Sequence, residues 1–542
     1  MLRNLVDLFT YFTLGLRAGT LVFQSVLLGG VVFVLWVARP SAEASQESID
    51  RVQACSSRLL QIIAIGLVTV QLLYLYVNSA VLMVTADIGL RGIIGANFFI
   101  SGSIVATTAL FTAIAARCKR SRWVLLGLIV VMMGASLMTN HAASRIDGRP
   151  LLVLLSCMHE LSAGFWIGGL PFLVLGLLRA MDVTTQWYVT ERFSRMALIG
   201  VGTLFISGLV MSVLYVRSWH AVLGTSYGVM VVAKALMLGV LLLLGGANFL
   251  LIRNTSKESA LPRLRRLIEA EVGIGITVIL TAASLTSQPP AVDQLSETVT
   301  LQQIYQRFKP TLPRFRYQTV PLSADVIGPA AAAMDRTGRA QPYNLDGASL
   351  TTELLNEAIR SESNHHWMGT VVLAMGFMAL LARTGRAPWT ECWPLLLIAI
   401  AIFVFLGDWE CWPVGSRGFW TCWADPEVFQ HRIAGLACAA FALMELRVRR
   451  RREENDSSAM VFPLICALGG ALLLTHSHDI TFVKENLLLE LSHVPMGVLA
   501  VFAGWARWLE LRLPEKDRAI PSWIWPACFV LIGAVLLDYR EM

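Results

Sequence analysis

The chain has 542 residues, of which 56% are hydrophobic and only 15% charged, with a mean hydropathy of +0.62 and a formal net charge of +7. A soluble domain carries roughly 25% charged residues, and here many uncharged stretches reach the ~18 residues that cross a bilayer. A soluble enzyme with one large core is therefore excluded, and nine Cys without regular spacing exclude a disulfide scaffold.

The hydropathy pattern predicts an all-α polytopic membrane bundle of about fourteen transmembrane helices, arranged eight and then six. The first eight spans fall near 14–37, 59–83, 93–116, 123–140, 151–178, 195–216, 228–252 and 267–288. A proline-containing polar stretch, 289–364, follows and includes Pro289–Pro290. Six more spans fall near 366–382, 392–407, 427–446, 460–475, 487–508 and 522–538. The expected domains are thus 1–288, a linker at 289–364 and 365–542. No cleavage-site pattern follows the first residues, so the first helix is expected to stay.

Lys and Arg orient the bundle, because basic loops stay in the cytoplasm. The seven loops after odd-numbered spans hold 26 of the 44 basic residues, including Arg117 to Arg122, Arg253 to Arg266 and Arg447 to Arg452. Both termini and the 289–364 linker are then expected outside the cytoplasm. The positive charge is a topology signal, and no nucleic-acid partner is expected. The partner it does imply is the lipid bilayer.

In this topology none of the nine histidines lies in a cytoplasmic loop. His141, His220, His476 and His478 fall in or beside outer loops. His159, His365, His366 and His431 begin helices that enter from outside, and His493 lies two turns into such a helix. A lone His220 is explained by loop polarity; the set is not. Met138 precedes His141 by three, Met496 follows His493 by three, and Met158 adjoins His159. Thioether and imidazole together suit Cu(I), and imidazole also suits Cu(II) and Zn. Glu160 adjoins His159, and Glu490 lies one turn before His493, where it is expected to orient the imidazole. Buried acids of this kind usually mark a pathway or a pair. The metal-ligand candidates are therefore His141, His159, Met138, Met158, His365, His366, His431, His476, His478, His493 and Met496.

The stretches around His141–His159 and His476–His493 read alike: leucine run, Thr, His, polar loop, leucine run, Ser, His, then Gly and Trp. This implies a parallel internal repeat with an outer His pair in each half, and a small-residue face, Gly497, Ala500 and Gly504, packed inward. In a separate outer loop, Cys411 and Cys422 lie close enough to oxidise to a disulfide outside the cytoplasm.

Four segments in order, NHAAS at 140–144, MHELSAGFWIGGL at 158–170, ERFSRMAL at 191–198 and SYGVMVVAKALMLGVLLLLGGANF at 226–249, resemble the copper resistance protein D (CopD/PcoD) family of bacterial inner-membrane proteins. The likeness covers roughly 135–255. It implies copper as the cargo, transport or handling rather than enzymatic catalysis, and His141 and His159 as copper ligands. Some members carry a periplasmic copper-binding β-sandwich. The 289–364 segment has no His or Cys, so such a partner is expected on a separate chain. Two other functions stay open at this stage: a b-type haem electron carrier, with facing His as axial ligands, and an assembly factor that delivers copper without transporting it. No Walker loop, CxxC or dinucleotide fingerprint is present.

Overall fold

The computed structural model describes residues 9–86, 88–117, 122–294, 298–315, 347–407, 411–451, 457–475 and 483–540. These residues form a helical bundle without a β-strand; the backbone pairs once outside helices, between Cys411 and Arg417. Nine longer helices build the first half: α1 (Phe9–Val32), α2 (Gln46–Thr85), α3 (Asn97–Arg117), α4 (Arg122–Leu137), α5 (Arg149–Trp166), α6 (Leu170–Arg179), α7 (Val183–Val216), α8 (Ser226–Asn254) and α9 (Lys257–Leu285). Six build the second: α10 (Gly347–Arg383), α11 (Leu395–Leu406), α12 (Pro426–Arg451), α13 (Val461–Leu474), α14 (Val483–Arg512) and α15 (Ala519–Leu537).

Every predicted span falls on helix. Eleven helices among the described residues are long and apolar enough to cross a membrane, with α5 and α6 together making one of them. The other predicted spans fall on two shorter apolar helices, Arg122–Leu137 and Ser458–Leu474, and on α12. The protein is a multi-pass membrane protein. Its backbone polar groups are met within helices, as a medium without water demands.

The predicted fifth span is broken, and its glycines explain why. A Cβ on Gly168 would collide with the Ser25 carbonyl of α1, and one on Gly29 with the Gly168–Gly169 backbone. The two chains cross in direct backbone contact, which only glycine permits. Helix α5 stops at Trp166, and α6 restarts with Pro171 in its first turn. Helix α14, the counterpart in the supposed repeat, runs unbroken through Pro495 to Arg512. The His476 and His478 positions of that repeat lie outside the described residues.

Two apolar cores meet at α14. Val494, Val498 and Val501 belong to the first core, while Met496, Ala503 and Ala506 belong to the second. The small-residue face packs on α13: a Cβ on Gly497 would meet Leu474 and the Gly470 carbonyl, and one on Gly504 the Pro463 carbonyl and Ala467. Helices α8 and α9 of the first half pack on α14. At one end of the bundle, Arg145 pairs with Asp293 at 2.7 Å, and Val299 N–H donates to the Gly224 carbonyl at 3.0 Å. On the same side, Arg314 N–H donates to His366 Nδ1 at 2.9 Å. The linker thus begins by running across the histidine-bearing end. Its far part is already helical, because α10 starts at Gly347, well before the predicted span.

The opposite end holds a buried ion-pair network. Glu510 pairs with Arg383 and with Arg507 (2.7 Å), and accepts from the Trp525 indole at 2.7 Å. Glu445 pairs with Arg507 (3.1 Å) and Arg449 (3.0 Å). These arginines belong to the basic loop ends identified from sequence, and each buried charge has a partner of opposite sign.

Candidate metal centre

His159 sits half-buried on α5 against α7. Its Nδ1 lies 3.3 Å from Ser207 Oγ. The Ser207 hydroxyl spends its own proton on the Thr203 carbonyl at 2.7 Å. Towards His159 it is therefore an acceptor, which places the imidazole proton on Nδ1 and the lone pair on Nε2. That is how proteins prepare a histidine for metal. Gly208 makes room for the ring: a Cβ there would stand 3.1 Å from His159 Cε1. Lys234 of α8 lies within electrostatic reach.

His141 opens the four-residue helix His141–Ser144, which the Asn140 side chain caps by accepting from Ala143 N–H at 3.0 Å. Its Nε2 is buried and has no hydrogen-bond partner among the described residues. Burial first, and then the nearby Arg17 guanidinium, hold its imidazole below the usual histidine range, against the Thr286 backbone, which pulls the other way. The Asn140 side chain lies within reach of Glu160, and the His141–Ser144 helix packs on α5, which carries His159. Met138 and Met158 are both exposed.

In the second half the structure brings His365 and His493 together, with ring centroids 6.5 Å apart. Each donates Nδ1–H to a carbonyl one turn back, His365 to Ser361 (2.8 Å) and His493 to Leu489 (2.9 Å). Both therefore carry the Nε2 lone pair, as His159 does. Tyr539, just past α15, stacks on His365 at 3.9 Å and stands 5.8 Å from His493. No sequence pattern singles out Tyr539, Ser207 or Gly208. His431, exposed at the start of α12, lies within electrostatic reach of both rings.

Two expectations change. His366 is 4% exposed, and both of its nitrogens are engaged by backbone: Nδ1 accepts from Arg314 N–H and Nε2 donates to the Tyr539 carbonyl at 3.0 Å. It ties the linker to the C-terminus and has no lone pair to offer a metal in this arrangement. Glu490 does not orient His493. Its Oε1 accepts from the Gln288 amide at 3.0 Å, with Ser226 alongside, so it joins the two halves of the chain. Met496 is buried in the second core. Cys411 and Cys422 are joined by a disulfide with Cα atoms 5.7 Å apart. The buried Arg432 braces that loop by donating to the Trp412 carbonyl. Among the described residues, no three His, Cys, Asp or Glu side chains gather as a ready-made metal site.

Residues 187–285, from α7 to the end of α9, match the family profile of copper resistance protein D (CopD). The "Copper transport protein CutJ" of Bacillus subtilis (strain 168) is 35% identical over 158 residues, which are 29% of this chain and 28% of CutJ. The match thus spans less than a third of that relative's length. No solved structure matches. Ser207, Gly208 and Lys234, the residues around His159, lie inside the 187–285 stretch, whereas His141 and His159 precede it. Over residues 187–285, then, the chain is similar to the copper resistance protein D family.

Proposed function

We propose that this protein takes up copper at the outer face of a bacterial inner membrane and passes it onward, as a transport or handling protein rather than an enzyme. The observation that carries the reading is His159. Its Nδ1 proton is directed at Ser207 of the CopD stretch, so Nε2 is left as a donor of the kind copper takes. The name of the similar CutJ, a copper transport protein, points the same way. His141, on the short helix packed against α5, is the second ligand of this site, and its low basicity keeps it unprotonated and able to bind metal in mildly acidic surroundings. Copper reaches the site from the outside, where the basic-loop pattern puts both termini and the linker, and any soluble copper-binding partner is a separate chain.

The test is copper binding and flux by the purified full chain. His141→Ala and His159→Ala should each lower copper affinity or stoichiometry in protein that remains folded, and should slow copper entry into proteoliposomes. Binding with no flux in the unaltered protein identifies a delivery factor instead of a transporter. Unchanged binding in the folded double variant removes the pair from the site. Reporter fusions after Arg452 and within 300–350 should read cytoplasmic and periplasmic respectively; the reverse inverts the orientation.

A further inference from the structure

We propose that Glu271 on α9, paired with Asn248 on α8, is a proton-exchange site: its carboxyl gives up a proton while a copper ion passes through the membrane and takes one back afterwards. This rests on the copper-transport reading above and adds to it the counter-charge that a crossing cation needs.

The first observation is the pair itself. Glu271 is 3% exposed and Asn248 7%. Asn248 Nδ2 donates to Glu271 Oε1 at 2.5 Å, which ties α8 to α9 inside the CopD stretch. The other amide atom, Asn248 Oδ1, is buried and has no hydrogen-bond partner among the described residues. Buried acceptors are rarely left so. An ionised carboxylate only accepts, so it can serve the amide N–H and nothing more. A protonated carboxyl also has an O–H to give, and an amide oxygen is its natural acceptor. The orphan Oδ1 thus marks the pair as a holder of a proton.

The second observation is electrical isolation. Charged groups on the elements packed around α9 are committed elsewhere or lie away from Glu271. Glu269 pairs with Arg265, Arg266 and Arg512, and Arg507 of α14 with Glu445 and Glu510. Arg192 of α7 donates to the Tyr188 hydroxyl. Arg253 of α8, Arg179 of α6, and Glu191 and Arg195 of α7 are exposed. Arg17 of α1 stands near His141 and Lys234 of α8 near His159, and α13 carries no charge. Among the described residues, the influences on Glu271 are its burial and Asn248. Acids so placed in a membrane usually mark a pathway.

The third is position. Five residues, roughly 7.5 Å of helix, separate Glu271 from Arg266 and Asn248 from Arg253, so the pair lies towards the basic end of the bundle. The histidines lie towards the other. Helix α8 joins the two levels by a buried stripe that runs from Ala233, beside Lys234, through Met237 and Leu241 to Asn248. A cation in this low-dielectric half is costly without an opposite charge. The Glu271 O–H bond breaks, its electron pair stays on the carboxylate facing the copper(I) ion, and the proton passes to water at the Arg266 end. When copper leaves, the carboxylate regains a proton from that water. No electron changes hands.

The test compares the unaltered full chain with Glu271→Gln and Glu271→Asp. Glutamine keeps the acceptor for Asn248 Nδ2, so the helix tie survives and only titration is lost. Infrared difference spectra on adding copper(I) should show loss of a protonated-carboxyl band and gain of a carboxylate band in the unaltered protein, a shifted pair of bands in Glu271→Asp, and neither change in Glu271→Gln. In proteoliposomes Glu271→Gln should bind copper as before yet lose copper entry, and Glu271→Asp should recover part of it. Unchanged entry in Glu271→Gln, or the same infrared bands in it as in the unaltered protein, overturns the proposal and leaves Glu271 and Asn248 as a structural tie. Copper bound but not moved by the unaltered protein overturns the transport reading and this proposal with it, and is seen before any variant is compared.

Discussion

Trp505 of α14 lies against the backbone of Gly273 on α9, so close that a single methyl group on Gly273 would overlap the indole. This contact, with the Gln288–Glu490 hydrogen bond, sets how the CopD stretch and the C-terminal bundle meet. Gly273→Ala should destabilise the protein by about 1–3 kcal/mol, the usual cost of overpacking. Trp505→Leu in the same chain should recover part of the loss. Thermal unfolding in detergent measures both. A Gly273→Ala protein as stable as the original would mean that the halves are not joined at this point.

At the other end of the bundle, Glu510 is held by Arg383, Arg507 and Trp525. Removing one member of a buried ion pair strands the others and costs about 3–5 kcal/mol. Glu510→Gln, which leaves two arginines facing a neutral amide, should cost that much. Arg449→Ala should cost much less, because Glu445 keeps Arg507 as its partner. Denaturant or thermal midpoints of the two variants check the order; equal losses would show that the network does not act as drawn.

Helix positions were legible because a span announces itself: a bilayer needs about twenty apolar residues in a row, and composition alone reveals such runs. The close approach of α14 to α13 was legible for a similar reason, since Gly497 and Gly504 recur two turns apart on one face. The sites were less so. Spacing found His365 and His493 as separate candidates, but their meeting depends on how α10, α14 and α15 pack, and no local pattern encodes that. His366 and Glu490 look like site residues in sequence because ionisable groups in a membrane usually are. The structure shows that backbone and amide partners can satisfy such groups just as well: the Arg314 and Tyr539 backbone for His366, Gln288 for Glu490. The break at Gly168–Gly169 was unread because the partner backbone, at Ser25 and Gly29, lies far away in sequence.

His141 lies outside the spans and titrates below the usual histidine range, chiefly because burial disfavours its charged form and then because Arg17 is near. The folded protein therefore binds fewer protons here than the unfolded chain, whose histidine titrates near 6.5. The resulting stability is fully present above about pH 6.5 and is lost as the pH falls through the folded value. His141→Ala lacks this term. The stability difference between the two proteins should shrink between about pH 8 and about pH 5. Unfolding midpoints at the two pH values read it directly, and a difference that grows on acidification would contradict the placement of His141 beside Arg17.

The sharpest prediction concerns a residue that can touch no metal. A Cβ at position 208 would stand 3.1 Å from His159 Cε1 and 3.4 Å from Nδ1, tighter than ordinary contact. Gly208→Ala should therefore push the imidazole off Ser207 and spoil the direction of Nε2. Removing the partner that orients a metal-binding histidine typically costs 10–100-fold in affinity, and Ser207→Ala should fall in the same range by releasing the Nδ1 proton. Stability should move the other way for Gly208→Ala, since alanine favours a helix interior over glycine by about 1 kcal/mol. The two readouts are thus opposed: weaker copper binding in a protein no less stable than the original. A merely structural role for the Ser207–Gly208 corner would lower both together. Copper affinity unchanged in both variants would mean that His159 is not a copper ligand, whatever its neighbours in the CopD stretch.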